Sequence, residues 1–184
     1  QGVEPAPMPD SLSDALQEGV DNEPVILRML RNERGYRSVT YPEIAYMKDE
    51  GWIAGYDPQR QEVQVRMPVG KTATVRGHLD DMQVNGDLPR WISKNKGDDL
   101  FMVEAKAFGE SLWERWLKKG MDDFEHYAWQ LSSNMHALAY GFGWQVPAVF
   151  VVGHKDADTG LVHEIDITHV AEPPIPRGQF KAKV

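Results

Sequence analysis

The apolar run Leu100-Phe101-Met102-Val103 passes without a break into Glu104-Ala105-Lys106. Four apolar residues in a row after a polar loop read as a strand covered on both faces, hence a central one. Side chains alternate along a strand, so Glu104 and Lys106 share one face and Ala105 takes the other. Two charged groups at the end of such a strand are costly unless they are paired or bind metal. A chain with this segment must build a sheet around it and bring compensating charge to its end.

The rest of the pattern supplies that sheet. Val63, Val65 and Met67 alternate with Glu62, Gln64 and Arg66, the signature of a half-buried strand. A turn at Pro68-Val69-Gly70-Lys71 leads to a second strand, Thr72 to Val84, with a bulge expected near Gly77. Asp80, near the end of that hairpin, can reach the end of the Glu104 strand. Before the hairpin, Ser11 or Ser13 is expected to cap a short helix through Leu16, and Val25 to Arg34 to form another. Thr40-Tyr41-Pro42-Glu43 has the form of a capping box and opens a helix that stops at Gly51. Asn85 to Asp99 reads as a loop. Helices follow at Phe108 to Lys119 and Asp122 to Tyr140, then strands at Val146 to Val152 and Leu161 to Ile167. This order predicts an α/β fold, a central mixed sheet flanked by helices.

The chain has 184 residues, enough for one domain with a sizeable core. We divide it into an acidic N-terminal extension (1–24), a folded domain (25–170) and a proline-rich basic tail (171–184). No stretch approaches the ~20 apolar residues that span a bilayer, and a cytoplasmic setting with no membrane partner is expected. With no cysteine, disulfides, thiolate zinc sites and cysteine-held iron–sulfur clusters are excluded. The net charge of −8 argues against general polyanion binding, although acids that bind metal would reduce it.

Asp80 and Glu104 offer hard oxygen ligands of the kind that suit Mg²⁺ or Mn²⁺, ions that retain water and accept phosphate oxygens. Lys106 on the same face can orient water or offset charge on a phosphate. A lone Glu-x-Lys is commonly a surface ion pair, and a lone Gly-x-x-Asp a turn. Their conjunction, in this order and this apolar context, favours a site for metal-dependent phosphodiester hydrolysis.

Arg76-Gly77-His78-Leu79-Asp80-Asp81 followed by Val103-Glu104-Ala105-Lys106 resembles the PD-(D/E)XK nucleases, specifically their RecB-like branch. That branch includes phage exonucleases of the lambda type and the CRISPR-adaptation nucleases. Tyr127-Ala128-Trp129-Gln130 is similar to its glutamine motif, and Val149 to Val152 with His154-Lys155-Asp156 to its closing strand. The resemblance implies a restriction-endonuclease-like core and a Mg²⁺- or Mn²⁺-dependent deoxyribonuclease, an exonuclease in phage or bacterial recombination or repair. It implies that Asp80, Glu104 and the main-chain carbonyl of Ala105 bind one or two ions. Lys106 would be the catalytic lysine, and Gln130 would position it or the substrate. A further acid comes from an early helix in this family. Glu43 best fits that place, with Glu33 and Glu50 as rivals, although Glu43 also completes the capping box. DNA is the implied partner, with a homo-oligomer or a recombination protein as a further one. A non-catalytic nucleic-acid-binding module and a structure-specific endonuclease remain alternatives on the same fold.

Two departures stand out. Asn134 occupies the place where the glutamine motif normally has an aromatic residue, and Tyr127 is our candidate to supply that ring. The cysteines of the cluster-bearing members are absent. For strand contact we single out Tyr127 and the loop residues Arg90, Trp91, Lys94 and Lys96. Trp113 and Trp116, at helical spacing, read as core before they read as base-stacking residues, and His78 lies beside the acids without a clear ligand role.

Overall fold

The computed structural model describes residues 10–69, 71, 73–85 and 100–183, with side chains described from 22 to 180 within those segments. Arg90, Trp91, Lys94 and Lys96 lie outside the described residues. The elements are α1 (Asp10–Arg34), β1 (Arg37–Ser38), α2 (Tyr41–Asp49), β2 (Gly55–Asp57), β3 (Glu62–Val69), β4 (Ala73–Leu79), β5 (Asp81–Val84), β6 (Leu100–Phe108), α3 (Glu110–Lys119), α4 (Glu125–Phe142), β7 (Ala148–Lys155) and β8 (Val162–Val170). A 3-10 turn, Gly120–Asp123, separates α3 from α4, and another spans Arg177–Lys183.

A mixed sheet in the order β1-β5-β6-β7-β8 forms the centre, with β6 in its middle, parallel to β7 and antiparallel to β5. The apolar residues of β6 divide by parity. Val103 and Ala105 face Ile26, Leu27 and Leu30 of α1, whereas Met102 and Phe108 belong to the larger core with Leu131, Met135 and Leu138 of α4. Glu104 and Lys106 therefore point to the α4 side.

The long second hairpin strand expected from Thr72 to Val84 is two strands in two sheets. β4 pairs with β3 in a separate sheet, β2-β3-β4, and β5 joins the central one. The chain bends at Asp80 between them. The apolar positions change phase at the bend, from Val75 and Leu79 to Met82 and Val84, a shift that a bulge within one strand would also produce.

The first helix also differs from expectation. α1 is continuous through Pro24, across the boundary drawn at residue 24. A proline inside a helix removes one hydrogen bond and crowds the preceding turn. Anchors on both sides hold the helix together here. Asn22 donates from Nδ2 to Gly160 O (3.1 Å) and accepts at Oδ1 from Val162 N (3.2 Å), while Ile26 and Leu30 are fully buried. The C-terminal segment likewise packs on the fold: Ile175 N donates to Ser132 Oγ (2.8 Å), and Phe180 meets the rings of Trp129 and His136. Trp113 and Trp116 are core residues, 5% and 2% exposed.

α1 crosses β7 at Gly153, where an added Cβ would lie 2.7 Å from Ile26 Cγ1 and 2.8 Å from Val162 Cγ1. Gly153→Ala is expected to cost about 1–3 kcal/mol, the usual range for overpacking, measurable by urea denaturation.

Candidate active site

The site arises where the β5–β6 ladder stops. Its last antiparallel pair is Asp81↔Val103, so the next hydrogen-bonded pair in that register would join Leu79 to Ala105. Leu79 instead pairs with Val63 in the other sheet. Side chains take over the Ala105 backbone. Its N–H donates to Asp80 Oδ2 (2.7 Å), and its carbonyl accepts from Lys106 Nζ (3.0 Å).

Lys106 Nζ also donates to Glu104 Oε1 (2.5 Å) and lies 3.8 Å from Asp80 Oδ2. One ammonium thus sits against the two carboxylates and the one carbonyl that the sequence singled out. Glu104 is 0% exposed. Its Oε1 also accepts from Gln130 Nε2, and its Oε2 from Asn134 Nδ2 (3.3 Å). Asn134 Nδ2 further reaches His78 O (2.9 Å), tying β4 to β6 through α4. A Cβ on Gly77 would collide with Asn134 Oδ1, so the glycine next to His78 is what admits this asparagine. Tyr127 packs in one aromatic cluster with Phe108 and Phe124, and the Lys106 ammonium lies 5.9 Å from its ring centre.

Glu43 is held by partners of its own. Arg37 grips its carboxylate with two bonds (2.7 and 2.6 Å), and Thr40 N donates to it at 2.6 Å in the capping box. Partial burial works against its charge, but Arg37 and Thr40 outweigh that and pull its pKa down to about 2. The rivals Glu33 and Glu50 are exposed. The acid that an early helix does send toward this region is Glu23. Its pKa is pushed up to about 8, first by burial and then by the charge of Asp80, with Glu62 and Glu104 adding to it and Lys106 opposing. A readable signal for it existed: Glu23, Ile26, Leu27 and Leu30 lie on one helical stripe. Cutting the helix at Pro24 hid that stripe.

The neighbouring acids Asp80 and Asp81 have different tasks. Asp81 is 8% exposed and accepts from Met82 N (2.9 Å), Ser38 Oγ (2.7 Å), Gln83 Nε2 (3.2 Å) and Arg31 Nη1 (3.4 Å), fastening β1 and α1 to β5. Asp80 faces Lys106. A cavity of about 260 Å³ opens beside both acids, with Glu23, Arg31, Ser38, Tyr56 and Arg60 in its wall.

The electrostatics show an excess of negative charge. Burial, followed by the charge of Asp80, pushes Glu104 up to about 7, against the favourable contacts of Lys106 and Asn134. Burial raises Asp80 as well, opposed by Lys106 and the Ala105 N–H. Burial disfavours the Lys106 ammonium, yet Glu104 and Asp80 prevail and raise its pKa. Glu104 and Glu23 therefore titrate above their ordinary value of 4.5. Acids with raised folded pKa values stabilise the protein fully below the unfolded value, and that contribution fades as pH rises through the folded ones. In EDTA, the melting temperature should fall as pH is raised from about 6 to about 8.5, a span set by those two pKa values, and Glu104→Gln should flatten the fall. An unchanged profile in the variant would contradict this account.

Comparison with protein-family models, with curated proteins and with solved structures returns no match for the chain, so the functional reading rests on its residues and geometry.

Proposed function

We propose that the protein is a divalent-metal-dependent deoxyribonuclease of the PD-(D/E)XK class, with a restriction-endonuclease-like core, acting as an exonuclease in phage or bacterial recombination or repair. One observation carries the reading. The oxygens of Glu104, Ala105 and Asp80 surround a single cationic group, at 2.5, 3.0 and 3.8 Å from Lys106 Nζ. The donor set is all oxygen, and Asp80, Glu104 and Glu23 face one ammonium between them. That combination fits Mg²⁺ or Mn²⁺ held by Asp80, Glu104 and the Ala105 carbonyl. When bound, such an ion polarises the scissile phosphate and lowers the pKa of a coordinated water.

The chain's own residues supply the rest. Gln130 and Asn134 hold the two oxygens of Glu104 and so fix its carboxylate plane. Lys106, beside the Tyr127 ring, is positioned to orient the attacking water or to offset charge on the phosphate. The cavity next to Asp80, with Arg31 and Arg60 at its side, offers a place for a phosphate beside the carboxylates.

For the phosphate backbone we propose a route along the outer side of β3 and β4. Arg66 and Arg76 stand directly opposite each other, as do Gln64 and His78. Like charges in that relation repel unless an anion lies between them. All four residues line a groove of about 640 Å³ on the hairpin strand that ends at Asp80.

Linear duplex DNA with Mg²⁺ or Mn²⁺ should be degraded and circular DNA spared; cutting of circles would make the enzyme an endonuclease. Glu104→Gln and Lys106→Ala should each reduce the rate by about 100-fold or more, the scale of losing a group that stabilises the transition state. Glu23→Gln should impair cleavage, whereas Glu43→Gln should leave it nearly intact. Intact DNA after incubation with folded wild-type protein and either ion would sink the proposal. Arg66→Ala and Arg76→Ala should each lower the slope of log affinity against log salt by about 0.9, one phosphate contact apiece.

A further inference from the structure

A second group of side chains able to ligate a metal lies at the C-terminal end of β7, where His154 pairs with Phe108, two residues beyond Lys106 on the neighbouring strand. His154 is 8% exposed, with its ring stacked on Trp113 at 4.9 Å and 7°. Its Nε2 is 3.0 Å from Glu110 Oε2. A carboxylate only accepts, so Nε2 is the donor of this bond, and the nitrogen left to ligate a metal is Nδ1. That Nδ1 is buried and has no hydrogen-bond partner among the described residues. A buried polar atom of this kind calls for an explanation.

The atom faces two ligands. Glu164 Oε2 is 3.9 Å away, too far for a hydrogen bond. The His163 ring lies 4.7 Å from that of His154, centre to centre. One ligand atom from each of the three residues falls within 4.8 Å of the other two. A β-bulge makes this possible. Glu164 pairs with His154 and Val162 with Lys155, so His163 is the extra residue. On a regular strand, His163 and Glu164 would point to opposite faces; the bulge turns both toward His154.

We propose that His154 Nδ1, His163 and Glu164 form a binding site for a zinc-class transition-metal dication, independent of the nuclease reading. Two imidazole nitrogens and one carboxylate oxygen suit such an ion and are a poor match for Mg²⁺. Tetrahedral ligation needs ligand atoms about 3.3 Å apart, which the exposed side chains of His163 and Glu164 can reach by small rotations. Glu110 supplies the outer carboxylate that typically orients a metal-bound histidine. The fourth position is left to water. The ion would clamp the turn end of the β7–β8 hairpin to the start of α3.

The test uses full-length protein carrying Asp80→Asn and Glu104→Gln, stripped with EDTA and titrated with Zn²⁺ in excess Mg²⁺ by calorimetry. One equivalent should bind. Adding Glu110→Gln should weaken binding by roughly 10–100-fold, the cost of losing an outer carboxylate, and His163→Ala or Glu164→Gln by more. In the wild-type chain, Zn²⁺ but not Mg²⁺ should shift the imidazole NMR signals of His154 and His163. Absence of Zn²⁺ binding, or equal affinity in the His163→Ala and Glu164→Gln proteins, overturns the proposal.

Discussion

The backbone of Ala105 has to find partners after the strand beside it ends. β5 begins at Asp81, and the residue that would have extended the ladder to Ala105 is committed to another sheet. A buried amide or carbonyl left without a partner costs on the order of 1–3 kcal/mol, so the gap must be closed by side chains. Asp80 closes one half and Lys106 the other. A local defect of sheet geometry thereby gathers opposite charges at one point, and Glu104, wholly enclosed next to them, completes the group. Its enclosure in turn requires Gln130, Asn134 and the bare backbone of Gly77.

Sequence neighbours are put to different uses by this geometry. Asp81 spends its oxygens on four donors and acts as a fastener, while Asp80, one residue earlier, keeps its charge turned to the ammonium. The same division separates Glu43 from Glu23. One is neutralised by a two-pronged arginine grip; the other is crowded by acids of its own sign. Partnership, more than position in a motif, distinguishes a carboxylate that holds the fold from one available to a ligand.

Much of this was legible in the residues. The parity of Glu104, Ala105 and Lys106 followed from the strand period, and the central place of β6 from its apolar run. The positions of Asp80, Gln130 and Tyr127 around Lys106 agree with the order of motifs. Other features were not legible for identifiable reasons. The sheet change at Asp80 shows only as a one-residue slip of the apolar alternation, from Val75 and Leu79 to Met82 and Val84, and a bulge within a single strand gives the same slip. Glu23 was lost because a proline usually ends a helix, and here tertiary anchors at Asn22 and Ile26 override that preference. Asn134 looked like a departure from a pattern, and its bond to His78 O could be known only once α4 was seen lying against β4.

The seam between the two sheets has a temporal consequence. Asp80 meets Ala105, Glu104 meets Gln130, and Asn134 meets His78, joining residues 25, 26 and 56 positions apart. α1 is secured by residues at 160 and 162, through links of 138 and 140 positions. Contacts of such long range form late, because chain entropy must be lost before they contribute. A chain emerging from the ribosome therefore carries all its acidic groups for some time before they converge. The cluster can assemble only after the chain has been made at least through Asn134, and its supporting helix is secured only once Val162 follows, so the acids converge as the two sheets close on each other.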